Sequence, residues 1–268
     1  MNFHDASPTE GSGSGSGDLV RPPTRAGGWV LYEYAELPST NDLAGTLPVW
    51  SAVRAARQKA GRGRYQRSWI SDVGGLWISA VVPVGAPESG WGALPLAAGL
   101  AVCEALTAWR AGPLRLRWPN DVMVGERKLA GLLVDQFRPG AAVVGIGVNV
   151  SNRPEAEDPA LAGAVVRLEE LVTLTPSLEA LSMGILDRLR GVVETMQAEG
   201  FAGLVPRVNA WWRTGMKVEI ESGEGRTEGV FLGVDSTGRL RVGNPAGETR
   251  DLAAHQVVRM RELPGDWS

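Results

Sequence analysis

The sequence predicts an α+β fold, with a domain of mixed strands and helices followed by a small unit of short β segments. Three observations carry this expectation. Strand-like runs rich in β-branched and aromatic residues recur between Trp29 and Val150. Apolar residues at helical spacing mark Leu94 to Trp109, Leu178 to Gln197 and Phe201 to Trp212. From Met216 onward the character changes to short β segments punctuated by Gly223, Gly225, Gly238 and Asn244-Pro245. At 268 residues the chain is long enough to bury a full core and to hold two unequal units. The expected boundaries are a tail over 1–28, a main domain over 29–213 and a C-terminal β-barrel over 214–268.

Each element follows from local chemistry. Residues 1–28 are rich in Gly, Ser and Pro, so they bury too little apolar surface to offset their ordering entropy. A flexible tail is expected, with no room for a helix-turn-helix. Trp29 to Tyr34 reads as a strand. After Pro38, Ser39-Thr40-Asn41-Asp42 precedes Leu43-Ala44 and has the side chains of a helix N-cap. Left uncapped, the same groups would face a polar ligand. Pro48 to Ala56 and Gly75 to Val82 read as strands, and Gly112-Pro113 as the stop of the 94–109 helix. Leu114 to Trp118 alternates as a half-exposed strand does. Pro119-Asn120-Asp121 is a turn signal, and Val122-Met123-Val124 with Lys128 to Val134 reads as a hairpin. Ala141 to Val150 is a buried strand whose Gly145 and Gly147 mark close approach by a ligand or another backbone. Asn149 sits among apolar neighbours and needs a partner if buried.

One stretch stands out. Between Arg54 and Arg67 there are six basic side chains and no acidic one, in a chain of net charge −3. Gly61 and Gly63 lie among them and allow positive φ and close backbone approach. Such a loop can wrap an anion with main-chain N–H groups and guanidinium forks. The acidic balance argues against a general nucleic-acid binder. A single cysteine, Cys103, fits a reducing compartment and a small core residue. No stretch of some twenty apolar residues predicts a membrane span, and a cytoplasmic location is expected.

Taken together, the order of these motifs resembles the biotin–protein ligases. The resemblance runs from about Trp29 to Arg261. It rests on Ser39-Thr40-Asn41, Gln58 to Arg64 with Arg67 and Trp69, Trp118-Pro119-Asn120-Asp121, Lys128 to Gly131, and Gly145 to Asn149. It implies a catalytic domain related to class II aminoacyl-tRNA synthetases, with a mixed sheet flanked by helices, and an SH3-like C-terminal barrel. It implies a ligase without a repressor's DNA-binding domain, acting on ATP, Mg²⁺ and biotin. Biotinyl-5′-AMP would form first and pass biotin to a lysine of a biotin carboxyl carrier domain. The site residues follow from the same likeness. Lys128 would bridge the biotin carboxylate and the α-phosphate, with Arg64 and Arg67 clamping phosphates and Asp121 as proton acceptor or orienting group. Ser39, Thr40, Asn41, Gln58, Gly61, Arg62, Gly63, Arg64, Lys128, Gly131, Gly145 and Gly147 would hold biotin. Arg62, Arg64, Arg67, Trp69, Arg117, Asn120, Lys128 and Asn149 would hold ATP. No side chain is assigned as a dedicated metal ligand.

One departure is Arg117, where the family usually has Lys, so a planar fork replaces a compact ammonium. The loop from Gly61 to Ser71 is expected to close as a lid over the adenylate. A lipoate–protein ligase shares the implied chemistry, and a non-catalytic polyanion-binding module is the rival from another class. The oligomeric state, homodimer or monomer, stays open.

Overall fold

The computed structural model describes residues 17–85, 92–212, 214–244 and 246–263. An eight-stranded sheet forms its centre. In chain order its strands are β1 (Leu19–Ala26), β2 (Trp29–Leu37), β3 (Ser51–Gln58), β4 (Leu76–Pro83), β5 (Leu114–Arg117), β6 (Asp121–Val124), β7 (Arg127–Arg138) and β8 (Ala141–Val148). Their spatial order is β1-β2-β3-β4-β8-β7-β6-β5. Only β2 and β3 run parallel, joined through the short helix α1 (Thr40–Ala44). Helices α2 (Leu94–Thr107), α3 (Leu178–Glu199) and α4 (Val205–Asn209) complete this part.

Strand alternation decides where a site can lie. Successive side chains point to opposite faces. Leu76, Ile78, Ala80 and Val82 of β4, with Ala142, Val144, Ile146 and Val148 of β8, join the large apolar core beneath α2 and α3. The alternate set, Trp77, Ser79 and Val81 with Val143, Gly145 and Gly147, therefore faces the other way. There α1 covers only one end, with Ala44 packed on Val53, Val81 and Val143. α2 buries Leu96, Leu100, Cys103 and Leu106, and each fully buried Leu contributes roughly 2 kcal/mol.

The C-terminal part is an antiparallel sheet of β9 (Lys217–Ser222), β10 (Gly225–Val234), β11 (Leu240–Gly243), β12 (Thr249–Leu252) and β13 (Val257–Glu262), in the order β12-β11-β10-β9-β13. Its Val218, Ile220, Phe231 and Leu240 belong to the same apolar core as α2 and α3. Trp212 meets Phe231 edge to face, with ring centroids 5.2 Å apart. Trp118 Nε1 donates to Gly238 O at 3.2 Å.

Several expectations are corrected. The tail drawn to residue 28 is too long, because Leu19–Ala26 pairs antiparallel with β2. Glu33 accounts for part of this: buried on β2, it pairs with Arg21 of β1 and Arg54 of β3. Residues 1–16 of the expected tail, and Pro245 of the expected turn, lie outside the described residues. α2 ends at Thr107, ahead of the Gly112-Pro113 stop. β5 does not alternate as a half-exposed strand, because Arg115 is buried. Its guanidinium pairs with Glu262 of β13 at 2.5 Å and donates to Gly125 O.

Candidate active site

A cavity of about 810 Å³ opens on the sheet face left free by α2 and α3, and residues of β13 line its other side. Its lining gathers the sequence-predicted residues Ser39, Thr40, Asn41, Gln58, Arg62, Gly63, Arg64, Arg67, Trp69, Arg117, Asn120, Asp121, Lys128, Gly131, Gly145, Gly147 and Asn149. Gly61 is the exception. A Cβ there would lie 2.4 Å from Trp69 O and 2.5 Å from Ser71 Oγ, so this glycine permits the loop to fold on itself. Gly61 and Gly63 do not take up the positive φ open to glycine; Tyr65 and Gln66 do, each at 57°.

One end of the cavity is a buried polar network. Ser39 holds the N-cap position of α1, yet its side chain makes no capping hydrogen bond. The Thr40 amide and hydroxyl both donate to Gln58 Oε1, at 2.8 and 2.9 Å. Gln58 Nε2 donates to Ser71 Oγ at 3.0 Å. Ser79 Oγ lies 2.7 Å from Thr40 Oγ1 and 2.6 Å from Asn41 Oδ1. Asn41 Nδ2 donates to Asp135 Oδ2 at 2.7 Å. Ser71, Ser79 and Asp135 are members that sequence reasoning missed. Ser79 had a signal, as the lone hydroxyl in the apolar run Leu76 to Val82.

The other end is cationic. Four of the six basic residues of the loop region have carboxylate partners: Arg54 with Glu33, Arg57 with Asp72, Lys59 with Glu36, and Arg62 with Asp42. Arg64 and Arg67 form no ion pair among the described residues. Lys128 Nζ lies 2.5 Å from Asp121 Oδ1 and 4.8 Å from the Trp69 ring centroid. Arg117 Nη2 meets Asp121 Oδ2 at 2.7 Å. Burial alone would push the Asp121 carboxyl up. The Lys128 and Arg117 charges, with their hydrogen bonds, outweigh burial and hold it below the usual carboxylate range. An acid held so firmly ionised is a weak proton acceptor, so the geometry favours orientation over proton transfer.

Glycine makes room here for side chains of the protein itself. A Cβ at Gly145 would lie 2.4 Å from Asn41 Oδ1, and one at Gly147 2.8 Å from Trp69 Nε1. At Gly131 it would lie 2.9 Å from the Trp69 ring. Trp69 Nε1 is buried without a hydrogen-bond partner among the described residues, which is the signature of a donor awaiting an acceptor. Asn149 finds the partners its burial demands, Lys128 O and Asn152 Nδ2. Asn120 Nδ2 donates to Leu132 O at 2.7 Å. Both asparagines thus brace the Lys128 hairpin while lining the cavity.

Comparison with known proteins gives the family. Residues 38–151 match the model of the biotin/lipoate A/B protein ligase family. The biotin–[acetyl-CoA-carboxylase] ligase of Mycobacterium tuberculosis is 32% identical over 77% of this chain and 78% of its own length. The chain belongs to the biotin protein ligase family. The Paracoccus denitrificans relative is 32% identical over 80% of this chain and 94% of that protein. The biotin protein ligase of Aquifex aeolicus, solved in complex with biotin and ATP, superposes with a TM-score of 0.76 at 26% identity. That match covers 87% of this chain and 99% of the other. The chain therefore has the mixed α+β fold of that ligase, a mixed sheet followed by a C-terminal antiparallel sheet. Among the described residues no helix is long and apolar enough to cross a membrane.

Proposed function

We propose that this chain joins biotin to ATP as biotinyl-5′-AMP, releasing pyrophosphate, and transfers biotin to a lysine of a biotin carboxyl carrier domain. The observation that carries the reading is the position of Lys128. Its ammonium sits in the cavity that also holds the Ser39–Asn41 turn, Arg64 and Arg67, which form no ion pair among the described residues, and the Trp69 indole, whose Nε1 has no partner among them.

The chemistry asks for this arrangement. A biotin carboxylate oxygen attacks the α-phosphorus while the bond to the bridging oxygen of pyrophosphate breaks. Both reactants are anions, and their repulsion at about 4 Å is several kcal/mol in a partly dry site. Lys128, fixed by Asp121 and Trp69, supplies positive charge between them without having to reorganise. Arg64 and Arg67 act on the phosphates. Arg117 acts beside them through the carboxylate it shares with Lys128. In the second step the carrier amine attacks the acyl carbon and AMP leaves with the electron pair. The Ser39 hydroxyl, Thr40, Asn41 and Gln58 recognise the ureido ring. The flanking Trp77 and Leu133, on the same sheet face as Gly145, suit its apolar thiophane ring and valeryl chain.

Mg²⁺ fits as a companion of the nucleotide. Among the described residues no three His, Cys, Asp or Glu side chains converge, so phosphate oxygens and water would provide most of its ligands. When bound, it neutralises phosphate charge. The synthetase-like classification of the catalytic domain, the SH3-like closure of the C-terminal sheet and the boundary near residue 214 are part of this reading. A cytoplasmic setting, where the carboxylases and ATP are found, goes with it.

The test is mass spectrometry of a carrier domain incubated with the chain, biotin and MgATP. A gain of one biotinyl group on one lysine is expected. Lipoate substituted for biotin should give no gain. Lipoylation in place of biotinylation, or release of no pyrophosphate with either acid, would overturn the reading.

A further inference from the structure

The turn at Arg64–Gln66 is held from outside the lid. Tyr65 and Gln66 are both left-handed, a region that residues with a Cβ adopt sparsely. Two in succession persist only where surrounding contacts hold them. Those contacts come from the C-terminal sheet. The Tyr65 hydroxyl donates to Val257 O at 2.8 Å and accepts from Arg64 Nη2 at 3.0 Å. The same Arg64 nitrogen donates to Ala254 O at 2.8 Å. The guanidinium carbon lies 4.9 Å from the Tyr65 ring centroid.

Both protons of Arg64 Nη2 are thereby engaged. Nε and Nη1 make no hydrogen bond among the described residues, and Arg64 lines the cavity. A long, flexible cation is fixed at one corner while its other donors are left for a ligand, which lowers the ordering cost of binding.

We propose that Tyr65 is a positioning residue, fixing Arg64 against the 254–257 turn so that the C-terminal sheet sets how long the acyl-adenylate stays bound. This rests on the adenylation reading above. The intermediate is a mixed anhydride with one phosphoryl group, and Arg64 is a cation placed to hold that group. Loss of the phenol hydroxyl frees the guanidinium to leave its post and opens the lid more often.

The experiment uses the full chain, charged with labelled biotin and MgATP and freed of unbound ligand. Loss of bound biotinyl-adenylate is then followed without carrier. Tyr65→Phe should release it roughly three- to tenfold faster, the scale of one hydrogen bond. Arg64→Ala should also release it faster. The double variant should release it no faster than Arg64→Ala, because Tyr65 acts through Arg64. Wild-type release from Tyr65→Phe, or additive effects in the double variant, would overturn the inference. The cycle also decides the case in which Tyr65→Phe lowers the melting temperature, since that loss appears on both of its sides. A wild-type chain that forms no adenylate would fail the adenylation reading itself. Adenylate that forms but leaves independently of Tyr65 fails only this inference.

Discussion

The Asp121 carboxylate is shared between its own strand neighbour Arg117 and the hairpin ammonium of Lys128, with Lys128 Nζ 2.5 Å away. One anion thus fixes two cations and leaves a net positive charge at the centre of the cavity. The ion pairs matter here less for folding than for where they hold charge.

Replacing Lys128 should disable the first step. Lys128→Met is expected to lower adenylate formation by at least about 100-fold, the usual scale for removing a placed charge stabiliser. Lys128→Arg should not restore it, because a planar fork cannot occupy the site of a compact ammonium. Biotin-dependent exchange of labelled pyrophosphate into ATP reports the step. Near-normal exchange in Lys128→Met would remove Lys128 from the chemistry.

Asp121→Asn should affect both stability and pH dependence. The folded state holds this carboxyl below its ordinary range, so its stabilisation is present above the unfolded pKa and is lost as pH falls through the folded one. The variant should be less stable than wild type by about 2 kcal/mol at pH 7, with two half-buried cations left short of a partner. The gap should narrow below about pH 4. Urea unfolding at both pH values measures it, and a constant gap would contradict the assignment.

Gly147→Ala should act through Trp69. The added methyl would fall 2.8 Å from the indole nitrogen, so the ring must move. Biotin affinity by calorimetry should drop roughly tenfold, the scale of a modest overpacking cost. Melting temperature should change little, since the cavity face can yield. Unchanged affinity would mean that the Trp69 position is immaterial to binding.

The segment Gly61 to Ser71 should gain protection when the site fills. Its backbone hydrogen bonds are few and mostly internal, among them Gly63 N to Arg67 O and Trp69 N to Gly61 O. Hydrogen exchange of these amides should slow markedly with biotin and ATP together. Equal exchange with and without ligand would leave no lid.

The site was legible from sequence wherever motif order carried it. Ser39-Thr40-Asn41, Lys128 and Gly145 to Asn149 converge as the resemblance implied. What escaped was set by long-range partners. Arg62 reads as an anion ligand alongside Arg64 and Arg67, yet Asp42 of α1 takes up its charge, and only the fold brings those two together. Arg115 looks like a solvent-facing strand residue because its partner Glu262 lies 147 positions away. β1 hides behind Pro22 and Pro23, which suit an edge strand, where only one side needs its hydrogen bonds. The left-handed turn at Tyr65 and Gln66 has no local signal, because neither residue type advertises positive φ.

The seam between the two sheets has an evolutionary corollary. Trp118 donates to Gly238 O, Arg115 pairs with Glu262, and Phe231 packs on Trp212. The C-terminal segment is therefore not an interchangeable cartridge. A chimaera carrying a relative's last fifty residues would leave the buried Arg115 guanidinium without its acid from β13 unless a match to Glu262 came with them. A change at Glu262 therefore has to be answered on β5, where Arg115 sits.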